Sequence, residues 1–295
     1  MRTKNMRLGL AGLLVATAIG FAPAAAFAQK AFPTPDAAAD ALVSAVATND
    51  PEALRAVLGA DWTRFIPKAD VDQDDVYAFL GAWARRHKIV RDGDRAHLAV
   101  GTADWTLPIP IVKQGDAWRF DTRAGADEIK TRRIGANELA AVQAALAYYD
   151  AQKEYALRDR NGDGVLEYAQ RVVSTPGKMD GLYWAALDGE DDSPLGPLFA
   201  DDAPGSSYNG YRFKILKAQG PSAPGGAYDY RIKGRMTSGF ALVAWPVRYG
   251  DTGLTSFIVS HGGKVYEKDL GPNTDAIARA MPRFDPDASW KAVAP

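Results

Sequence analysis

The chain of 295 residues contains no cysteine. That absence removes disulfides, thiolate metal sites, a cysteine nucleophile and lipid attachment through a terminal cysteine. Histidine is nearly as scarce. His87, His97 and His261 are the three present, too scattered to make a ligand set. Missing too are the P-loop, the G-x-G-x-x-G dinucleotide turn, the H-E-x-x-H zinc helix and the G-x-S-x-G nucleophile elbow. Positive charge is not in excess, with 35 basic against 36 acidic residues, so there is no electrostatic case for nucleic acid or anionic membrane surfaces.

One long apolar run is present, from Leu8 to Phe21. It follows Arg2, Lys4 and Arg7 and leads through Pro23 to Ala26-Phe27-Ala28. A basic start, a short apolar core and a small-x-small exit predict a secretory signal peptide, residues 1–28, cut between Ala28 and Gln29. The competing reading is an uncleaved anchor, which Gly9, Gly12, Gly20 and Pro23 weaken as a continuous spanning helix. The expectation is a periplasmic or secreted protein with no membrane span after cleavage. Removing three basic and no acidic residues leaves a mature chain of 267 residues with 32 basic against 36 acidic groups. Without disulfides it must be stable through its core alone, and its length suggests two domains.

An N-terminal α+β domain is expected over residues 29–125. Asp36–Thr48 has Ala38, Leu42 and Val46 on one face, and a second helix runs on to Leu58. Asp72 to about Arg86 predicts a third, burying Val76, Phe79, Leu80 and Trp83. Strands follow near Ile89 and at His97–Val100, Trp105–Val112 and Trp118–Phe120. Their order is similar to the cone-shaped domains of the nuclear-transport-factor-2 type, a likeness of fold only. Residues 126–136 carry Asp127, Glu128, Lys130, Arg132 and Arg133 and read as a solvated connector. The C-terminal domain, 137–295, opens with a long helix capped by Asn137 and running to about Leu157, its seam Leu139, Val142, Leu146 and Tyr149. An antiparallel meander is expected from Gly210–Ala218, Tyr228–Lys233, Gly239–Val247, Thr255–Ser260 and Lys264–Lys268, then a short helix from Thr274 through Met281.

Five segments carry a family likeness. They are Arg132-Arg133-Ile134-Gly135-Ala136-Asn137-Glu138, Asp180-Gly181-Leu182-Tyr183-Trp184, the run Gly225 to Tyr230, the run Gly239 to Pro246, and Tyr266 to Gly271. Together they resemble the exported bacterial family catalogued as domain of unknown function 2950, over nearly all of the mature chain. That resemblance implies no activity.

A second likeness is to type IV pilins and pseudopilins. Asn137-Glu138, Ala151-Gln152 and Tyr155 are similar to their first helix. Gly210-Tyr211-Arg212-Phe213, Ala244-Trp245-Pro246, Tyr249-Gly250, Gly253 and Phe257 are similar to their sheet. Pilins carry an apolar polymerising helix where this chain has a whole domain. The resemblance therefore implies a pilin-headgroup-like arrangement, not filament packing.

Asp159-Arg160-Asn161-Gly162-Asp163-Gly164-Val165-Leu166-Glu167 reproduces positions one, three, five and six of an EF-hand loop. Asp159, Asn161, Asp163, Glu167 and the Val165 carbonyl are candidate calcium ligands, in a structural role. Gln170 stands at position twelve, where a bidentate glutamate normally closes the site. The competing reading is a polar turn ending the long helix. Asp188, Glu190, Asp191, Asp192, Asp201 and Asp202 read as a solvated acidic loop. Ser260-His261-Gly262-Gly263 reads as a hairpin turn rather than an oxyanion site.

Ser174, Lys178, Asp180, Tyr183 and Trp184 form a candidate ligand cleft, sought between their loop and the meander. A serine and a lysine beside aromatics suit polymer binding or acyl transfer, though no partner base stands at a defined spacing. The expected function is a non-catalytic binding or assembly protein of the cell envelope, its partner an envelope protein or polymer. The alternatives are an envelope hydrolase or transferase using the Ser174–Lys178 loop, and a calcium-stabilised structural protein.

Overall fold

The structure, a computed structural model, describes residues 29–66, 72–185, 192–196 and 207–294. The expected signal peptide lies outside them, as do Asp188, Glu190, Asp191, Asp201 and Asp202 of the acidic run. The chain divides into two compact units, Met1–Ala126 and Asp127–Pro295. Each joins helices to antiparallel sheet, so the fold is α+β. Among the described residues no helix is long and apolar enough to cross a membrane.

The first unit opens with α1 (Pro35–Ala47), α2 (Pro51–Leu58), α3 (Trp62–Phe65) and α4 (Gln73–Arg85). The starts of α1, α2 and α4 follow capping chemistry. Thr34 accepts the Ala37 amide and Asp50 those of Glu52 and Ala53, each just before a proline at the first helical position, and Asp72 accepts the Asp75 amide. The sheet comprises β1 (His87–Asp92), β2 (Arg95–Val100), β3 (Trp105–Thr106), β4 (Ile111–Gln114) and β5 (Ala117–Phe120), ordered β1-β2-β4-β5 with β3 also on β2. Leu42, Val57, Leu98, Ile111 and Phe120 are buried between helices and sheet.

Two expectations need correction here. The strand foreseen over Trp105–Val112 is broken, because Pro108 and Pro110 have no amide to give a ladder. The helix α4 has no fully buried residue; Val76, Phe79, Leu80 and Trp83 are half-buried, and Phe79 and Trp83 rest on the rim of the core.

The helix α5 runs from Thr122 to Tyr155, so 126–136, read as a solvated connector, is helical, and none of those residues is buried. Its start is set by Asp121, whose carboxylate accepts the Ala124 amide. Asn137 is therefore no cap. Asn137 and Glu138 carry the polarity of a helix start but use it across space: Asn137 Nδ2 donates to the Thr252 carbonyl at 2.9 Å, and Glu138 accepts the amides of Leu254 and Thr255. The buried seam also differs. Ala141, Ala145, Tyr148, Ala151 and Tyr155 enter the core of the second unit, while Leu139 and Leu146 are 60% and 39% exposed. Small alanines let the backbone lie close to its neighbours and leave the tyrosines to fill the space.

The remaining elements are β6 (Tyr211–Leu216), β7 (Ala218–Gln219), β8 (Tyr228–Asp229), β9 (Arg231–Ile232), β10 (Arg235–Met236), β11 (Ala241–Pro246), β12 (Thr255–Ser260), β13 (Val265–Asp269), α6 (Thr274–Ala280) and β14 (Lys291–Ala292). The main sheet is antiparallel, ordered β14-β13-β12-β11-β6. Every residue of β11 is buried, which explains its unbroken apolar run. Tyr228–Lys233 does not join this sheet. Its residues form two small ladders, β7-β8 and β9-β10, separate from that sheet.

Candidate functional site

Beyond the end of α5 the chain runs irregularly from residue 156 to 185 and walls an open cleft of ≈ 1210 Å³ in the second unit. Gln152 pins that wall. Its side chain is fully buried, accepts the Ala169 amide at 2.8 Å and donates to the Ala169 carbonyl at 2.8 Å, as a neighbouring strand would. The same amide nitrogen donates to Tyr148 Oη at 3.0 Å, and Tyr148 donates in turn to the Ala241 carbonyl of β11. Tyr155 adds a second pin by donating to the Met179 carbonyl at 2.9 Å, and burial pushes its phenol up to about 12.

The structure brings Ser174, Lys178, Asp180, Tyr183 and Trp184 together on this cleft. Thr175-Pro176-Gly177-Lys178 is a turn closed by the Lys178 amide on the Thr175 carbonyl at 2.9 Å. Proline second and a glycine at φ +75° third match a type II turn. Ser174 Oγ accepts the Gly181 amide at 2.9 Å, and among the described residues no carboxylate or imidazole is hydrogen-bonded to it. Burial pushes the Asp180 carboxyl up, but the Thr175 amide and hydroxyl and the Arg171 charge outweigh it and hold the group below its usual value. Trp184 is buried beneath the Arg160 guanidinium, 5.2 Å from the ring centroid.

The EF-hand-like loop adjoins the cleft through Arg160, Asn161 and Glu167. Asp159 accepts amides from Asn161, Gly162, Asp163 and Gly164; these bonds, that from Gly164 foremost, lower its pKa. Asn161 donates to Glu167, whose carboxyl is raised by burial and by the nearby Asp163 charge. Arg235, on β10, binds Asp163 at 2.6 Å. A guanidinium thus holds the carboxylate at position five. The Val165 amide donates to Asp163. Among the described residues no group of three or more histidine, aspartate or glutamate side chains is arranged to hold a metal ion.

His261 lies away from the cleft, in the turn after β12. It packs edge-on to Tyr230, its Nε2 is 3.3 Å from Tyr228 Oη, and burial lowers its pKa. Several cleft residues carried no sequence signal. Tyr168 and Arg171 sit in irregular backbone, and Lys217 comes from between β6 and β7.

Residues 29–293 match the family described as "Protein of unknown function (DUF2950)". The chain belongs to the DUF2950 family. No curated protein and no solved structure matches it. In this DUF2950 chain the five motif segments take separate places. Asp180–Trp184 walls the cleft. Gly239 lies where a Cβ would come within 2.7 Å of His261 and 2.8 Å of Tyr230, so its motif is steric. Arg133 of the helical motif pairs with Asp251 at 2.5 Å.

Proposed function

We propose that this DUF2950 protein is exported to the periplasm or beyond and acts there as a non-catalytic binding protein of the cell envelope, using the cleft of its second unit. The supporting observation is the cleft itself. It gathers the aromatic and polar residues singled out from the sequence, with a volume above the about 300–1,000 Å³ usual for small-molecule sites. A hydrolase or transferase at Ser174 has less support. Its hydroxyl is a hydrogen-bond acceptor for Gly181, and among the described residues no base is bonded to it. The N-terminal basic, apolar and small-residue pattern supports export.

The test is cosedimentation of the mature protein with isolated bacterial envelopes, alongside Ser174→Ala and Ala185→Trp. Ala185 is exposed on the cleft rim, so tryptophan there obstructs the cleft without disturbing the core. Wild type and Ser174→Ala sediment, and Ala185→Trp stays in solution. Equal sedimentation of all three, or none by wild type, overturns the reading. Recovery of a chain beginning at Gln29 from the periplasm or medium tests export, and recovery from the cytoplasm alone contradicts it.

A further inference from the structure

We infer that the cleft recognises an anionic glycan segment, held by the ammonium groups of Lys178 and Lys217 and by the phenols of Tyr168 and Tyr183. This rests on the cleft being the binding site and specifies what it binds.

Much of the backbone between Ser174 and Tyr183 on the cleft wall is already engaged. The Ser174 amide donates to the Tyr183 carbonyl, Thr175 to Asp180, Lys178 to Thr175, Gly181 to the Ser174 hydroxyl, and both Leu182 and Tyr183 to Val172. An added peptide strand needs a row of free amides and carbonyls. With those amides engaged, the row along Ser174–Tyr183 is interrupted and recognition there rests mainly on side chains. Of the six charged groups that line the cleft among the described residues, four are basic (Arg160, Arg171, Lys178 and Lys217) and two acidic (Glu167 and Asp180). Both carboxylates are already engaged, Glu167 with Asn161, and Asp180 with Thr175 and Arg171. Lys178 and Lys217 make no ion pair or side-chain hydrogen bond with any described residue. The cleft therefore presents two available positive charges.

Tyr168 and Tyr183 are half-buried on the same surface, and neither hydroxyl is bonded within the described residues. A tyrosine offers an apolar face with a polar end, suited to a ring that is apolar on its faces and hydroxylated at its edge. The volume of the cleft, ≈ 1210 Å³, suits a segment of polymer. Carboxylate or similar anions spaced along a sugar chain meet all these demands together.

The experiment is titration calorimetry of the mature protein with oligogalacturonate. Malto-oligosaccharide serves as the neutral counterpart and poly-glutamate as the anionic peptide. The variants are the double Lys178→Gln/Lys217→Gln, the Tyr168→Phe/Tyr183→Phe pair, and Lys264→Gln as an exposed control outside the cleft. Oligogalacturonate should bind with an affinity that falls with salt, weakened about tenfold or more in the double lysine variant and unchanged in Lys264→Gln. Poly-glutamate binding as tightly, malto-oligosaccharide binding as tightly, or no loss in the double lysine variant each overturns the inference. So does absence of oligogalacturonate binding. If envelopes still capture wild type but not Ala185→Trp while oligogalacturonate fails, the ligand class is wrong and the cleft reading stands. If Ala185→Trp is captured normally, both fall.

Discussion

Gln152 is the residue on which the cleft wall most depends. Replacing it with leucine keeps the volume close but leaves the Ala169 amide and carbonyl, both buried, without partners. Each orphaned buried group costs about 1–3 kcal/mol, so Gln152→Leu should destabilise the second unit by about 2–6 kcal/mol. That is a large share of the about 5–15 kcal/mol of a typical domain, and at about 2–4 °C per kcal/mol it lowers the melting temperature by about 4–24 °C. Tyr148 loses the Gln152 donor but keeps its own bond to Ala241, so its hydroxyl is not left without a partner. Gln152→Glu sharpens the test. A buried glutamate is shifted up, because burial disfavours its charged form. Its native state holds the proton more tightly than the unfolded chain does. Stability of this variant should therefore fall as pH rises from about 4.3 through the raised native value. Below that window the neutral acid restores a donor and an acceptor to Ala169. Urea unfolding followed by tryptophan fluorescence reads both effects. A Gln152→Leu protein within 1 kcal/mol of wild type, or a Gln152→Glu protein whose deficit does not shrink in acid, would refute the reasoning.

Further perturbations follow from the same geometry. Gly181→Ala puts a Cβ 2.7 Å from the Ser174 nitrogen and Val173 carbonyl carbon, an overpacking that should cost about 1–3 kcal/mol in urea unfolding. A neutral result there would mean the wall yields easily. Asp275, bonded by Arg279, Trp245 and Arg212, has its carboxyl lowered to about 2. Its contribution to stability is present above the ordinary value of about 3.9 and is lost as pH falls through about 2. Wild type and Asp275→Asn should therefore differ at pH 6 and converge near pH 2; an unchanging gap counts against the assignment. On the calcium reading of the loop, the ion would have to displace Arg235 from Asp163, so millimolar calcium should raise the melting temperature more in Arg235→Gln than in wild type, and not at all in Arg235→Gln/Asp163→Ala. Equal shifts in wild type and Arg235→Gln would separate Arg235 from the loop chemistry.

Much of the architecture is legible in local pattern. The capped starts at Thr34, Asp50 and Asp72 depend on residues one to three positions away, and β11 and β12 are apolar because both are nearly buried throughout. The failures come where side chains act over distance. Asn137-Glu138 reads as a helix start because its polarity suits one, yet its partners are Thr252, Leu254 and Thr255, more than a hundred residues away. The large apolar side chains of α5 suggest a seam through Leu139 and Leu146, whereas its close packing uses alanine and tyrosine. Trp105–Val112 has the composition of a strand but not the amides for one. At the site, Ser174 to Trp184 are legible because turn chemistry and aromatics cluster in one short segment. Gln152, Lys217 and Arg235 are not, since nothing near them in sequence shows what they face.

The most direct test of ligand capture in the cleft is spectroscopic. Lysines of the mature protein, dimethylated with ¹³C so that their charge is kept, are observed by NMR as solubilised envelope polymer is added, with Lys178 and Lys217 assigned from their glutamine variants. Selective shift or broadening of those two signals, with Lys264 and Lys153 unchanged, is the predicted result. Uniform change across all lysines, or perturbation centred elsewhere, would contradict the assignment of function to this cleft.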